Sequence, residues 1–129
     1  MATTLIEALT TAIDSATSLT SGSSLFIGWM PDQPDTAVAL YEYEGETPDY
    51  VMGSPVIDKP RVQIISRSAS YATARDTLNT IRSLTDVHDT TLTGIDTLRV
   101  HPYGSVTALG RDDKNRWEFS LSIVGHVMR

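Results

Sequence analysis

The sequence predicts a single α+β domain over residues 1–129, built from one mostly antiparallel or mixed sheet of five to six strands with two helices packed on one face. Three observations lead there. Two segments, near 3–19 and 71–86, repeat apolar residues at spacings of three and four, the period of a helix that buries one stripe. Several others alternate apolar and polar residues, or form short aromatic and β-branched runs between turn formers, as strands do. The elements follow the order helix, strands, helix, strands, which suits antiparallel strands carrying helices on one side.

In the first helix, between Thr3 and Leu19, the stripe is Leu5, Ile6, Leu9, Ala12, Ile13, Ala16 and Leu19. Thr3 or Thr4 can cap it, with Glu7 three residues after Thr4 in a capping-box relation, and Gly22 in Ser21–Ser24 supplies a left-handed stop. Leu25 to Met30 reads as a strand. Pro31-Asp32-Gln33-Pro34-Asp35 is a rigid turn, because each proline fixes its own φ and restricts the residue before it. Thr36 to Glu44 alternates Ala37, Ala39, Tyr41 and Tyr43 with Val38, Leu40, Glu42 and Glu44, and is expected to form a hairpin with the first strand. Residues 45–58 combine two prolines, two glycines and three acids without a period, and are expected as an exposed loop. Loops of that length in small domains tend to be functional or disordered, and the apolar Tyr50, Val51, Met52, Val56 and Ile57 favour function, as a segment that orders against a partner. A short extra strand packed on the parent domain fits those residues equally well.

Arg61 to Arg67 alternates around Val62 and Ile64 as a strand. Ser68 or Ser70 can cap the second helix, Tyr71 to Asp86, whose stripe is Tyr71, Ala74, Leu78, Ile81 and Leu84. A Thr/Asp-rich loop follows, then strands at 95–103 and 105–110 on either side of Gly104. Arg111 to Asn115 forms a charged turn. Arg116 to Val127 alternates strictly, with Trp117, Phe119, Leu121 and Ile123 on one side, and is the clearest strand in the chain.

The charge is divided along the chain. Residues 1–58 hold nine acidic side chains and no lysine or arginine, whereas residues 59–129 hold ten basic and seven acidic ones, net −9 followed by +3. Two arrangements fit: separate acidic and basic surfaces on which copies could dock, or interleaved strands that mix the charges. The absence of cysteine excludes thiol catalysis and Cys-type zinc sites and suits a reducing compartment. The N-terminus lacks a basic signal-peptide region, and no apolar run approaches the roughly 20 residues that span a bilayer, so a soluble protein with no membrane partner is expected. A pI of 4.8 with dispersed bases argues against general duplex binding.

Chemistry-bearing patterns are sparse. His88, His101 and His126 stand apart, none in a ligand spacing. The pairs Asp32/Asp35 and Asp112/Asp113 lie in turns, where aspartate bonds to nearby backbone. The nucleophile-elbow, phosphate-loop and dinucleotide fingerprints are missing. No catalytic, metal or cofactor set is therefore predicted, and a structural or binding role is favoured over an enzyme. A small hydrolase built from His88 or His101 and a distant Ser or Asp is the weakest alternative.

Lys59-Pro60-Arg61-Val62-Gln63-Ile64 with Arg67, followed by Tyr71, Ala74 and Arg75, resembles the tail terminator proteins of long-tailed bacteriophages, often labelled minor capsid proteins. Two further segments agree. One runs from Leu25-Phe26-Ile27-Gly28 through Met30-Pro31 and Pro34-Asp35 to Tyr41-Glu42-Tyr43-Glu44-Gly45. The other is Gly110-Arg111-Asp112 with Arg116, Phe119, Ser120 and Leu121. The resemblance implies a non-enzymatic virion protein at the tail–head junction, forming a hexameric ring on the head-proximal end of the tail tube. That ring stops polymerisation and meets the head-completion or connector protein, with DNA only passing through its lumen. Its partners would be copies of itself, the major tail tube protein and the connector. Another head–tail joining or head-completion adaptor is the alternative within the same particle.

A closed ring needs a heterologous interface, two unlike patches of one subunit that mate. The expected contacts set Glu42, Glu44, Glu46 and Asp49 of one subunit against Arg61, Arg67, Arg75 or Arg82 of the next, with Tyr50, Val51, Met52, Val56 and Ile57 supplying desolvated area. Remaining acids would line the lumen and repel passing DNA.

Overall fold

The computed structural model describes residues 5–17, 19–20, 22–51, 54–85, 87–92 and 95–128, with side chains described outside 43–58, 86–99, 103 and 128. Two helices and six strands alternate as α1 (Leu5–Ala16), β1 (Leu25–Ile27), β2 (Ala37–Val51), β3 (Ser54–Ser68), α2 (Tyr71–Leu84), β4 (Val87–Leu92), β5 (Ile95–Arg111) and β6 (Trp117–Met128). They form one mixed sheet in the order β1-β2-β3-β6-β5-β4, the α+β domain expected. All pairs are antiparallel except β1 with β2.

Both helices lie on one face. Leu5, Ile6, Ala8, Leu9 and Ile13 of α1 and Leu78 and Ile81 of α2 share a single buried cluster with Leu25, Val38, Leu40, Val62, Ile64, Phe119, Leu121 and Ile123. The alternation along β2, β3 and β6 selects these side chains, since residues two apart on a strand share a face. Gly125 of β6 makes room for the start of α1: a Cβ there would stand 2.6 Å from Leu5 Cδ2. Helix α2 begins as expected, with Ser70 Oγ accepting the Thr73 N–H at 3.3 Å, and Ala74, Leu78 and Ile81 are buried. The ends of its expected stripe, Tyr71 and Leu84, are exposed instead, although one side of the Tyr71 ring still meets Trp117 and Phe119 of β6. Thr3 and Thr4, the expected caps of α1, lie outside the described residues.

Four expectations are corrected. First, β1 and β2 do not make a hairpin; Leu25, Phe26 and Ile27 pair in parallel with Val38, Ala39 and Leu40. The intervening segment, with a cis Gln33–Pro34 bond, crosses back over the sheet's other face, where Met30 packs on Phe26, Ala37 and Ala39. Second, residues 45–51 and 54–58 are strand, not loop: Glu46 pairs with Lys59, Asp49 with Ile57, Tyr50 with Pro55 and Val51 with Ser54. Three register shifts absorb Gly45 and Pro48, and Pro48 is tolerated because β2 is an edge strand there. Third, the Thr/Asp-rich segment contains β4, whose Val87, Thr90 and Thr91 are β-branched residues suited to a strand. Fourth, 95–111 is one strand, with a register shift between Tyr103 and Thr107 around Gly104, whose φ of +82° only glycine adopts readily.

Candidate functional site

Among the described residues, the sheet is left open along part of each edge. Strand β1 covers β2 only from Val38 to Leu40, so 41–51 has no outer neighbour. At the opposite edge β4 covers β5 only from Ile95 to Val100, leaving 101–111 open. The β2–β3 hairpin also overhangs: β3 last pairs with β6 at Ile57–Met128, so its tip projects past β6 by roughly 10 Å at about 3.3 Å per residue. Glu44, Glu46, Asp49, Tyr50 and Val51 lie on β2, and Val56 and Ile57 on β3, in or beside that projection; Met52 lies outside the described residues.

The predicted cations are distributed differently from one another. Arg75 and Arg82 are exposed on α2, and Arg61 is half-buried on β3 opposite Tyr43 and Val124. Arg67 is 4% exposed and faces inward, which corrects its assignment to the subunit interface. Its Nε donates to the Asp35 carbonyl at 3.2 Å, and its Nη2 reaches the carbonyls of Asp32 and Pro34. Register explains this: Arg67 sits opposite Ala37, a residue too short to block the guanidinium from the 31–35 segment folded over it.

A second arginine completes the clamp. Arg116, with a side chain 6% exposed, bonds Asp112 Oδ2 through Nε at 2.8 Å, Asp32 Oδ1 at 3.2 Å and Asp35 Oδ1 at 3.3 Å, and its Nη1 also donates to the Asp32 carbonyl. Lys114 pairs with Asp32 Oδ2. Asp112 Oδ1 accepts the backbone N–H groups of Lys114 and Arg116, both at 2.9 Å, which closes the β5–β6 turn. The expected turn chemistry of Asp112 is therefore present, but Asp32, Asp35 and Asp112 also share one buried cation across some 80 residues of chain. Sequence reading missed that convergence, although Pro34-Asp35, Arg67, Asp112 and Arg116 were among the residues that carried the family resemblance.

This arrangement sets the pKa directions. The hydrogen bond from Lys114 holds the Asp32 carboxyl below its ordinary 3.8, against the cost of burial, with Arg116 assisting. The Arg116 N–H does the same for Asp112, together with that arginine's side chain and the Lys114 N–H. Burial works against the charge on Arg116, yet Asp112 and Asp32 raise its pKa overall. Depressed carboxylates stabilise the fold fully above their unfolded pKa, near 3.8, and lose that contribution as pH falls through the lower folded value. Thermal denaturation is accordingly expected to show Asp112→Asn less stable than the native chain at pH 7, with the two converging as pH falls past the unfolded value and through the depressed folded one. A gap that persisted into acid would show that ionisation of Asp112 contributes nothing.

His101 and His126 stack across β5 and β6 with centroids 5.9 Å apart, a pairing set by register and invisible in sequence. No group of three or more His, Asp or Glu side chains among the described residues is placed to hold a metal, and no helix among them is long and apolar enough to cross a membrane. Beside the open part of β5, a cleft of about 210 Å³ is lined by Tyr71, Arg75, Val106, Ala108 and Phe119.

No curated protein sequence matches the chain. Among solved structures, a chain of the virion of a native gene transfer agent particle is similar, with a TM-score of 0.63 and 14% identity over 94% of this chain and 84% of that one. At that identity the likeness is one of fold. The sequence matches the bacteriophage tail terminator protein family over residues 12–127, nearly its whole length, and the chain belongs to that family.

Proposed function

We propose that this protein forms a ring, of six subunits, that seats on the head-proximal end of the tail tube, ends tube polymerisation and presents its far side to the head-completion or connector protein. It works by assembly and not by turnover of a substrate. Membership of the tail terminator family makes it a phage tail structural protein. One observation supports the ring in particular: two unlike strand edges remain open on opposite sides of the sheet, 41–51 and 101–111. Head-to-tail closure requires two different surfaces on each subunit, and open edges are the surfaces that natural proteins otherwise cover. The first edge carries Glu42, Glu44, Glu46 and Asp49, whereas Arg75 and Arg82 lie on α2, which packs over β3, β5 and β6. Opposite charges at such rims steer encounter and fix register. Acids left outside these contacts line the lumen, where they repel passing DNA.

Mass measurement and negative-stain imaging of the purified protein, alone and with tail tubes, test the reading. Rings seated on tube ends are expected. A protein that stays monomeric with tubes present would refute it, and cross-links to a portal-side protein without any to the tube would reassign it as a head-completion adaptor. Reversing Glu42, Glu44 and Glu46 together should weaken ring formation at low salt; unchanged assembly would remove these acids from the interface.

A further inference from the structure

The two open edges carry a knob and a hole. Trp29 is 60% exposed and Ile27 43% exposed, at the end of β1 beside the point where β2 becomes an open edge. Trp29 is held rather than loose: its ring meets Phe26 edge-on with centroids 5.7 Å apart, and the segment that follows is fixed by Arg67 and Arg116. A rigid, exposed tryptophan is the residue type that most often dominates an association energy. Exposed Glu42 lines the same surface depression as Ile27 and Gly28.

On the opposite edge, Tyr71, Val106, Ala108 and Phe119 line a cleft of mixed polarity, with aromatic rings as its walls and exposed Arg75 at its rim. Its volume of about 210 Å³ is below the roughly 300–1,000 Å³ of small-molecule sites, and is on the scale of one large side chain. Its walls are braced. Tyr71 stands edge-on to Trp117 and Phe119 at 5.1 and 5.0 Å, and Arg111 stacks over Trp117 at 5.0 Å. The cleft is therefore preformed, which limits the ordering cost of filling it.

We infer that the occupant is a second copy of this chain, with Trp29 of one subunit seated in the Tyr71–Val106–Ala108–Phe119 cleft of its neighbour and Glu42 facing that neighbour's Arg75. Edge position, charge and size all match, and the contact is heterologous, as ring closure demands. The inference rests on the ring reading and assigns its central contact.

The test uses full-length protein under conditions where the native chain forms rings, followed by sedimentation and imaging. Trp29→Ala should keep the native melting temperature, since the side chain is mostly solvated, while raising the concentration needed for rings by roughly 30-fold or more, the hot-spot scale. Glu42→Arg and Arg75→Glu should each weaken assembly, and their combination should restore it. In the native sequence labelled with 5-fluorotryptophan, the fluorine resonance assigned to Trp29 by its absence from Trp29→Ala should shift on ring formation. Native rings with an unmoved Trp29 resonance, or rings of Trp29→Ala at native concentration, would overturn this contact and leave the ring intact. Absence of rings from the native chain with tubes present would overturn both.

Discussion

Arg67→Ala is expected to lower the stability of the domain by about 3 kcal/mol and its melting temperature by about 10 °C. The magnitude follows from what the guanidinium satisfies. It is 4% exposed, and it donates to three backbone carbonyls of the segment that crosses over the sheet, those of Asp32, Pro34 and Asp35. Leaving an acceptor without its donor costs about 1–3 kcal/mol. The Asp32 carbonyl keeps Arg116 Nη1 as a second donor and water can reach these exposed residues, so the carbonyls of Pro34 and Asp35 account for most of the loss, each near the lower end of that range. Burial lowers the pKa of Arg67, and repulsion from Arg116 adds to that, while Asp112, Glu118 and Asp32 act the other way. Its charge is thus supported by the same acids that hold Arg116. Arg67→Lys should recover only part of the loss, because an ammonium is a single compact donor group and cannot reproduce a planar fork reaching three acceptors. Urea unfolding with an unchanged m-value is the appropriate measurement. A loss below 1 kcal/mol would mean that solvent satisfies the segment as well as Arg67 does. Because that segment presents Trp29, the same variant should also weaken ring assembly at temperatures where it remains folded.

The parts of the fold legible in the sequence were those where one face of an element is buried and the other is not. The strict alternation of Trp117, Phe119, Leu121 and Ile123 marked β6, and the three-and-four spacing of Leu5, Leu9 and Ile13 marked α1, because in both cases local period and tertiary burial agree. Residues 45–58 failed for the opposite reason. Their strand character comes from pairing, Glu46 with Lys59 and Asp49 with Ile57, and pairing partners overrode Gly45 and Pro48, which locally read as breakers. The parallel pairing of β1 with β2 was equally hidden, since it depends on a segment tied down by arginines 35 and 84 residues away. The clamp itself was visible only in pieces. Asp32, Asp35 and Asp112 read correctly as turn residues, yet nothing local shows that one buried cation serves all three. Arg67 was misassigned because a lone arginine on an alternating strand looks solvated until the element covering it is known.

Phe119→Ala should cost about 3–5 kcal/mol, the range for removing a buried phenylalanine, out of the 5–15 kcal/mol typical of a domain. Phe119 is 1% exposed, near the middle of the buried cluster between α2 and β6. Its loss removes apolar burial, the edge-to-face contact with Tyr71, and the floor of the cleft beside β5. Relaxation around it is limited, because Leu121 and Ile123 are fixed in β6 by cross-strand pairs with Ile64 and Val62. The upper half of the range is therefore expected. Phe119→Leu separates the two roles of this side chain. Leucine keeps most of the buried area and should cost no more than about 1.5 kcal/mol, so the domain stays folded at 25 °C while the cleft loses its aromatic floor. Chemical denaturation of both variants gives the ordering Ala far below Leu. If Phe119→Ala fell within 1 kcal/mol of native, the side chain would have to be replaceable by its neighbours, and the assignment of a tightly packed layer between α2 and β6 would be wrong.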